Sequence, residues 1–310
     1  MVVIGGGSAG LSAALMLGRA RRRVMVVDAG MPRNRFAAHM HGGLGLDGMP
    51  PLDLLATGRR EVGSYGGEFW DTAAVATRRD GNGFAVETAD GRTALARALL
   101  VATGARDELP DIEGLSQWWG RGVAVCPYCD GWEVRDQRIG ILATGPASPV
   151  QAQLLRQWSG TVIYLPDATE PLKDDDLAAF GARGIRIEDG AVRRVLARDG
   201  RLAGVEMAGG RVIELDAVFT VPRLVPLDEP LRQLGAERTE YPWGSFATTD
   251  PSGQTSVTGV WAAGNVVNAM ANVPVAAGAG ALAAGAINHA LVLDDVREAL
   301  AACAQAGGPR

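Results

Sequence analysis

The chain has 310 residues, of which 47% are hydrophobic and 21% charged, and it carries a net charge of −5 at pH 7. This length accommodates about two domains with a large core, and the lack of a basic region argues against nucleic acid as a partner. The 42 glycines are about twice the number expected at a usage of ~7%. They indicate many tight turns and close backbone approaches, as nucleotide-binding proteins need.

We expect a cytoplasmic protein without a membrane partner. The chain enters an apolar strand directly at Met1, with no charged leader region, and we expect no apolar run long enough to span a bilayer. In this compartment a close pair of cysteines is more typical of redox chemistry than of a structural disulfide.

The first four residues predict a buried strand, and residues 11–17 predict a helix of small and apolar residues. Between them, Gly5, Gly7 and Gly10 form the pattern G-x-G-x-x-G in the context that it requires. Gly5 allows a tight turn, Gly7 lets a pyrophosphate approach the backbone, and Gly10 lets the helix lie close to the strand. The N-terminus of the helix then faces the anion.

The second strand, residues 23–27, ends at Asp28, which follows Gly10 by 18 residues. A carboxylate at this place holds a ribose hydroxyl in dinucleotide-binding folds. Strand, turn, helix, strand and acid together favour a dinucleotide site over a glycine-rich turn without a ligand.

Two histidines, His39 and His41, lie in the segment that follows. No metal-ligating partner stands near them in the sequence, so we interpret them as ordinary polar loop residues. Further along, residues 99–104 predict a strand that is buried on both faces, as in a parallel sheet.

Cys126 and Cys129 form a CxxC pair that can close a small disulfide ring. A zinc site needs a second pair of Cys or His ligands at suitable spacing, and neither Cys303 nor the three histidines supply it. The pair alone leaves two interpretations open, a redox pair that exchanges two electrons and two buried small residues. We expect Cys303 to be an unpaired thiol near the C-terminus.

Residues 138–165 repeat the order strand, turn, helix, strand, which indicates a second nucleotide-binding-like domain. The chemistry of its turn is eroded. Ala143 replaces the tight-turn glycine, only Gly145 remains, and Pro146 removes an N–H that can meet a phosphate.

The residues after the second strand of this domain decide between nicotinamide nucleotides. Asp167 follows Gly145 by 22 residues. Between Gly145 and Lys173 the only arginine or lysine is Arg156, which lies in the predicted helix. A carboxylate suits a free ribose hydroxyl and repels the extra phosphate of NADPH. We therefore expect NADH over NADPH, and weak binding of either.

The chain resembles the low-molecular-weight thioredoxin reductases and their relatives among pyridine nucleotide–disulfide oxidoreductases. The resemblance rests on Gly5-x-Gly7-x-x-Gly10 with Asp28, Ala102-Thr103-Gly104, Cys126-x-x-Cys129-Asp130-Gly131 and residues 255–265. It implies an α/β fold of two Rossmann-like, FAD/NAD(P)-binding three-layer domains, the second inserted in the first, and a homodimer. The implied FAD-binding domain comprises residues 1–108 and 225–310. The inserted domain, residues 109–224, carries the CxxC.

The resemblance also implies which positions contact FAD. They are Gly5, Gly7, Ser8, Ala9, Gly10, Asp28, Ala29, Thr103, Gly104, Gly264, Asn265, Asn272 and Val273. Gly264-Asn265 stands where the family usually has Gly-Asp, whose carboxylate holds the ribityl chain. An asparagine can still form a hydrogen bond there.

In the family pattern, Cys129 matches the thiol that contacts the flavin and Cys126 the thiol that exchanges with substrate. Asp130 matches the residue that manages the proton at the thiolate. That role requires Asp130 to be partly buried and protonatable, because a charged carboxylate raises the pKa of a neighbouring thiol. The alternative is a helix cap after the motif.

Two departures from the family pattern bear on function. The nucleotide motif of the second domain is degenerate, and the family's Arg-Gln pair before the last helix appears as Ala271-Asn272. These changes resemble a branch that includes small-molecule dithiol oxidases, which share the CxxC, do not rely on NADPH and pass electrons to oxygen. We expect oxidation of a small dithiol, with NAD(P)H-dependent reduction of a thioredoxin-like protein as the alternative. A flavin-bound redox sensor without turnover is a further alternative.

Overall fold

The computed structural model describes residues 1–167 and 169–305, and the chain forms two compact units. Unit 1 consists of Met1–Arg33, Leu52–Arg106 and Leu224–Arg310, and unit 2 consists of Asn34–Pro51 and Asp107–Arg223. The chain therefore passes between the units close to residues 108 and 224, where we placed the domain borders. The segment 34–51 differs from the expectation, because it belongs to unit 2 and not to the first domain.

The bounds of the helices and strands follow in chain order. Up to residue 108 they are β1 (Val2–Ile4), α1 (Ser8–Arg19), β2 (Met25–Asp28), α2 (Pro51–Ser64), β3 (Glu68–Asp71), β4 (Ala74–Asp80), β5 (Gly83–Thr88), β6 (Thr93–Ala96), β7 (Leu99–Val101) and β8 (Ala105–Glu108). The next are β9 (Val123–Ala124), α3 (Pro127–Asp130), β10 (Arg138–Leu142), α4 (Ser148–Leu155), β11 (Thr161–Leu165), α5 (Asp174–Arg183), β12 (Arg186–Ile187), β13 (Val192–Arg198), β14 (Arg201–Met207), β15 (Val212–Glu214) and β16 (Ala217–Thr220). The last are β17 (Arg223–Pro226), α6 (Glu229–Gln233), β18 (Arg238–Tyr241), β19 (Gly244–Ala247), β20 (Val260–Ala262) and α7 (Val273–Gln305).

Unit 1 is built on a parallel sheet with the strand order β20-β7-β1-β2-β3. Side chains alternate along each strand, so that Val3 and Val26 pack with α1 and α7 on one face. Val2 and Ile4 pack on the other face with the antiparallel strands β4, β5 and β6. Burial on both faces explains why these strands read as continuous apolar runs.

Unit 2 repeats this design with the parallel order β12-β11-β10-β16-β9. Ile139 and Ile141 of β10 pack with α4 and α5. Leu142 and Val218 face the antiparallel strands β13, β14 and β15. Each fully buried side chain of this size contributes about 1.5–3 kcal/mol. Both units thus have a helical layer, a parallel sheet and a small antiparallel layer, which confirms the expected α/β fold class.

The last helix, α7, corrects one expectation. Within the described residues it is one helix that could cross a membrane by length and composition alone, with 33 residues and a mean hydropathy of 1.5 in its most apolar stretch. Its small side chains also have a packing reason. A Cβ at Gly280 would lie 2.0 Å from the carbonyl oxygen of Ala9 in α1, so the close packing of these two helices requires glycine there.

Candidate active site

The cysteine pair follows β9 at the carboxyl edge of the unit 2 sheet. Cys126 has an extended backbone, and Pro127 opens α3, where its fixed φ suits a helix and its missing N–H is not needed. The amides of Cys129 and Asp130 both donate to the carbonyl oxygen of Cys126 at 3.1 Å. This turn brings the two cysteine Cα atoms to 5.2 Å, and the side chains form a disulfide. In the described part of the chain, no group of three or more His, Cys, Asp or Glu side chains is placed to hold a metal ion.

Packing from α4 and the segment after it supports the disulfide turn. Gln151 donates from Nε2 to the carbonyl oxygen of Val125 at 2.7 Å and so holds the residue before the first cysteine. A Cβ at Gly131 would lie 2.9 Å from the ring of Trp158. Tyr128 meets the same ring edge-on, with centroids 5.6 Å apart. The glycine of the Cys-Asp-Gly sequence is therefore needed to let Trp158 pack on the turn.

A cavity of about 190 Å³ lies beside the disulfide within unit 2. Its polar lining comes from two places in the chain. Cys129, Asp130 and Glu133 come from the disulfide turn, while His39 and His41 come from the segment 34–51. The rest of the lining is small or apolar. The two histidines that we interpreted as ordinary loop residues thus line the same cavity as Cys129 of the redox pair.

The segment 34–51 is held in unit 2 by its own turns and by a close approach at Gly120. The amide of Met40 donates to the carbonyl oxygen of Met49 at 2.9 Å, and His39 Nδ1 lies 2.9 Å from the carbonyl oxygen of Gly48. Gly120 has a φ of +76°, and a Cβ there would lie 2.8 Å from Cβ of Phe36. Glycine at this position is therefore required both by its backbone conformation and by contact with the segment.

Asp130 is a half-buried carboxyl group that lines the cavity. Burial and, to a smaller extent, the Glu133 carboxylate raise its pKa to about 6, while His41 acts in the opposite direction. It is the last residue of α3, and none of the described residues hydrogen-bonds to its carboxyl group. Its position does not fit the alternative of a helix N-cap. Its proton-transfer role stays a prediction, now with a pKa suited to it.

His41 lies between two carboxylates. Its Nδ1 is 3.4 Å from Oδ2 of Asp47, and its Nε2 is 3.4 Å from Oε1 of Glu133. The amide of Gly42 donates to the other oxygen of Asp47 at 2.9 Å and so fixes that side chain. No sequence motif relates His41 and Asp47 to Glu133, which lies some 90 positions further along the chain, so sequence patterns did not indicate this group.

The turn between β1 and α1 has the features that a pyrophosphate requires. Gly5 has a φ of +106°, and a Cβ there would lie 2.3 Å from the carbonyl oxygen of Ala102. A Cβ at Gly10 would lie 1.9 Å from the carbonyl oxygen of Gly5, whereas one at Gly7 would meet open space. The helix, which starts at Ser8, has no side-chain cap. Its first N–H groups are therefore available to an anion.

Asp28 lies against the same turn. A Cβ at Gly6 would be 2.4 Å from Oδ2 of Asp28. The amide of Gly30, after Ala29, donates to Oδ1 at 3.2 Å, and Arg59 Nη1 lies 3.4 Å from Oδ2. The carboxylate is thus held beside the turn, where a ribose hydroxyl is bound in dinucleotide sites.

The remaining predicted FAD contacts lie in unit 1 at loops after β7 and β20. Thr103 Oγ1 donates to the carbonyl oxygen of Leu227 at 2.6 Å, next to Gly104. Asn265, which follows Gly264, donates from Nδ2 to the carbonyl oxygens of Asn268 and Ala271, both at 2.9 Å. Its amide nitrogen therefore shapes this loop, and its role toward a ribityl chain stays a prediction.

The start of α7 is capped by one of the predicted cofactor residues. Asn272 Oδ1 accepts a hydrogen bond from the amide of Val275 at 3.1 Å, and the helix begins at Val273. Together with the open turn at Gly7 and the carboxylate of Asp28, these loops fit FAD in unit 1.

The equivalent turn of unit 2, between β10 and α4, is closed by its own side chains. The amide of Thr144 donates to Ser148 Oγ at 3.0 Å, and Ser148 is fully buried. Thr144 Oγ1 donates to the carbonyl oxygen of Val221 at 2.5 Å. Asp167, the predicted ribose ligand, accepts a hydrogen bond from the amide of Val192 at 2.7 Å. Thr144, Ser148 and Asp167 are thus engaged in hydrogen bonds within unit 2.

Comparison with known proteins gives a consistent result. A family model described as pyridine nucleotide-disulphide oxidoreductase matches residues 1–280. The thioredoxin reductase tcpT of Claviceps purpurea is 32% identical over 306 residues, with 94% of each chain covered. The crystal structure of HlmI has 47% sequence identity and a TM-score of 0.93, covering 98% of this chain and 96% of that one. An oxidoreductase from Agrobacterium tumefaciens has 37% identity and a TM-score of 0.89, covering 94% and 98%.

Proposed function

The chain belongs to the pyridine nucleotide-disulphide oxidoreductase family as a thioredoxin reductase-like enzyme with FAD as cofactor, and on this premise we propose that it oxidises a small dithiol. The Cys126–Cys129 disulfide is the oxidant of the dithiol, and molecular oxygen is the final electron acceptor. The observation that carries this direction is the closed turn of unit 2, where Ser148 binds the Thr144 amide. A reductase needs that turn for a nicotinamide nucleotide.

The chemistry at the disulfide is thiol–disulfide exchange. A substrate thiolate attacks Sγ of Cys126, so that a mixed disulfide forms and Cys129 leaves as a thiolate. The second substrate thiolate then attacks the substrate sulfur of the mixed disulfide and releases Cys126. The substrate leaves as a disulfide, and the electron pair stays on the two cysteines. Bound FAD supplies the acceptor for this electron pair and the site from which oxygen takes it.

Asp130 supports these steps by holding a proton beside Cys129. Its pKa of about 6 lets the carboxyl group change protonation near neutral pH. A neutral Asp130 avoids repulsion of the new thiolate, whereas a charged one accepts a thiol proton. The half-buried position of this side chain supports the assignment.

The second candidate is NAD(P)H-dependent reduction of a thioredoxin-like protein, which the name of the Claviceps purpurea relative, thioredoxin reductase, favours. It uses the same disulfide in the opposite direction. The two functions differ in whether a nicotinamide nucleotide reduces the flavin. A redox sensor without turnover differs from both, because its disulfide titrates only once.

Anaerobic mixing of the purified flavoprotein with NADH, NADPH or dithiothreitol separates these functions. We expect dithiothreitol to bleach the flavin absorbance quickly and both nucleotides to bleach it slowly or not at all. Steady oxygen consumption with dithiothreitol then distinguishes turnover from a single titration. Fast bleaching by NADPH contradicts the proposed direction and supports the reductase.

The separate roles of the two cysteines are tested by single serine substitutions. We expect Cys126→Ser to retain a Cys129 thiolate beside the flavin and to show charge-transfer absorbance. Cys129→Ser lacks that thiolate and shows none. The opposite result reverses the assignment.

We also propose a cytoplasmic homodimer, as the family resemblance implies. Large apolar side chains exposed in unit 1 support the dimer, including Met270 at 88%, Leu282 at 58% and Leu300 at 66% exposure. Light scattering of the holoenzyme measures this directly, and a mass near 32.3 kDa contradicts it.

A further inference from the structure

A row of ionisable side chains leads away from the cavity beside Cys129. Asp130 and Glu133 line the cavity, and His41 contacts Glu133 through Nε2. His41 contacts Asp47 through Nδ1, and the Asp47 side chain is 68% exposed. Glu133 lines the cavity with a side chain that is 45% exposed, so His41, at 25%, is less exposed than either Glu133 or Asp47.

The position of His41 in this row differs from that of the other histidine in the cavity. The titratable or charged groups that face His41 are Asp47 in its own segment and Glu133 and Asp130 from the disulfide turn. His39 lines the same cavity, but its Nδ1 is occupied by the carbonyl oxygen of Gly48. Of the two histidines that line this cavity, His41 is the one placed between two carboxylates.

Imidazole is suited to this place because its two nitrogens can bind and release a proton on opposite sides. A proton that arrives at Nε2 from the cavity can leave from Nδ1 toward Asp47. The carboxylates on both sides stabilise the charged intermediate state. The fixed Asp47, held by the amide of Gly42, keeps the ring oriented.

We propose that His41 is the proton-transfer residue of the disulfide site, with Glu133 on the cavity side and Asp47 on the solvent side. This inference rests on the proposed exchange at Cys126–Cys129. It holds for both directions of electron flow, because a reductase returns protons along the same groups.

The step balances with the groups present. The S–H bond of the substrate breaks, and its proton goes to the His41–Glu133 pair. The substrate sulfur bonds to Sγ of Cys126, the Cys126–Cys129 bond breaks, and its electron pair goes to Cys129 as a thiolate. The proton leaves from His41 through Asp47 to water, and the disulfide is the oxidant.

The substitution His41→Gln tests this inference in the holoenzyme with dithiothreitol as the probe. The anaerobic reaction is quenched with an alkylating reagent, and labels are counted by mass spectrometry. The exposed Cys303 accounts for one label before exchange, and all 3 cysteines are labelled after it. This readout follows the opening of the disulfide directly and does not depend on flavin absorbance.

We expect His41→Gln to open the disulfide up to ~30-fold more slowly than the parent at pH 7. A thiol with a pKa of about 8.5 is only ~3% ionised at that pH, so loss of the proton acceptor limits the rate. The two rates should converge near pH ~9.5, where the thiol ionises without help. Asp47→Asn should lose about threefold over the same pH range, because water replaces part of the exposed carboxylate's role.

The matched control is His39→Gln, which removes an imidazole from the same cavity and should keep the shape of the parent pH profile. If His41→Gln opens the disulfide more slowly than the parent by the same factor at every pH, including pH ~9.5, the inference is overturned and His41 has a structural role. A profile for His41→Gln that is identical to the parent's also overturns the inference. If dithiothreitol does not open the disulfide of the parent at any pH, the proposed exchange fails and the inference fails with it. Normal opening in the parent with an unaltered His41→Gln profile contradicts the inference alone.

Discussion

The two units contain the same turn after a central parallel strand, and the two turns differ in how side chains bind their backbone. Both turns leave open space at a glycine, Gly7 or Gly145, and neither following helix has a side-chain cap. In unit 2 the amide of Thr144 is bound by the buried hydroxyl of Ser148. The sheets and layers match, so the difference lies in a few hydrogen bonds. Two units can therefore share a fold while the groups at corresponding turns differ.

The acids that follow the second strands show the same contrast. Asp28 lies against the glycine-rich turn, within reach of a ligand there. Asp167 accepts a hydrogen bond from the amide of Val192 and has a φ of +49°. One carboxylate is placed for a ribose and the other stabilises a strand end. The functional groups of unit 2 lie instead after β9, at the disulfide and its cavity.

The strongest test of this comparison is a matched pair of alanine substitutions. Gly7→Ala and Gly145→Ala both introduce a methyl group where no protein atom lies within 4 Å. We expect Gly7→Ala to weaken FAD binding about 100-fold, because the pyrophosphate approaches the backbone there. Gly145→Ala should leave FAD binding unchanged. Fluorescence titration of the flavin-free proteins measures both, and equal affinities would contradict the contrast between the turns.

A second test concerns Asp130, the carboxyl group beside the disulfide of unit 2. The folded-state pKa of Asp130 is raised from 3.8 to about 6, so its protonated form is favoured in the folded protein. The stabilisation of the folded protein by protonated Asp130 is fully present below pH 3.8 and is lost as the pH rises through about 6. We expect Asp130→Asn to gain about 2 kcal/mol over the parent between pH 4 and 8, less than the full shift implies because the group is partly solvated. Urea unfolding of variant and parent at both pH values measures this gain. If the difference in unfolding free energy between variant and parent is the same at both pH values, the pKa of Asp130 is not raised by folding.

A third test uses the serines that begin α1 and α4. Ser148→Ala leaves the half-buried Thr144 amide without its acceptor, so we expect a loss of about 1–2 kcal/mol in the free energy of unfolding. Flavin content should not change. Ser8→Ala should change stability by less than about 0.5 kcal/mol, since no described residue hydrogen-bonds to its hydroxyl. Urea unfolding of both variants provides the comparison, and equal losses would show that Ser148 does not close its turn.

The smallest effect is expected at Asp167. In Asp167→Asn the amide oxygen can still accept the hydrogen bond from Val192, and asparagine tolerates a positive φ. We expect a change below about 0.5 kcal/mol in unfolding free energy and no gain in NADPH binding. Tight NADPH binding by this variant, measured by calorimetry, would show that the carboxylate alone had excluded the nucleotide.

Local sequence patterns predicted the elements that carry both sites. The order strand, turn, helix, strand that we predicted over residues 138–165 is present as β10, α4 and β11, which ends at Leu165. The glycine pattern after β1 lies where the strand–turn–helix context placed it, because the backbone conformation at Gly5 depends on nearby atoms. The last helix extends over Val273–Gln305. Asn272 and Pro274 at its start, and Gly307-Gly308-Pro309 further along the sequence, are typical helix boundary signals.

Contacts between distant parts of the chain were outside the reach of those patterns. The CxxC could be a redox pair or two buried residues until Cys126 and Cys129 were found in one tight turn. The histidines of the segment 34–51 had no recognisable spacing, and only folding brings His41 to Glu133. Residue type and spacing therefore specified the turns and the cysteine pair, because these depend on local backbone geometry. Tertiary structure decided which turn is open and which groups surround the disulfide, because hydrogen bonds and burial depend on neighbours from elsewhere in the chain.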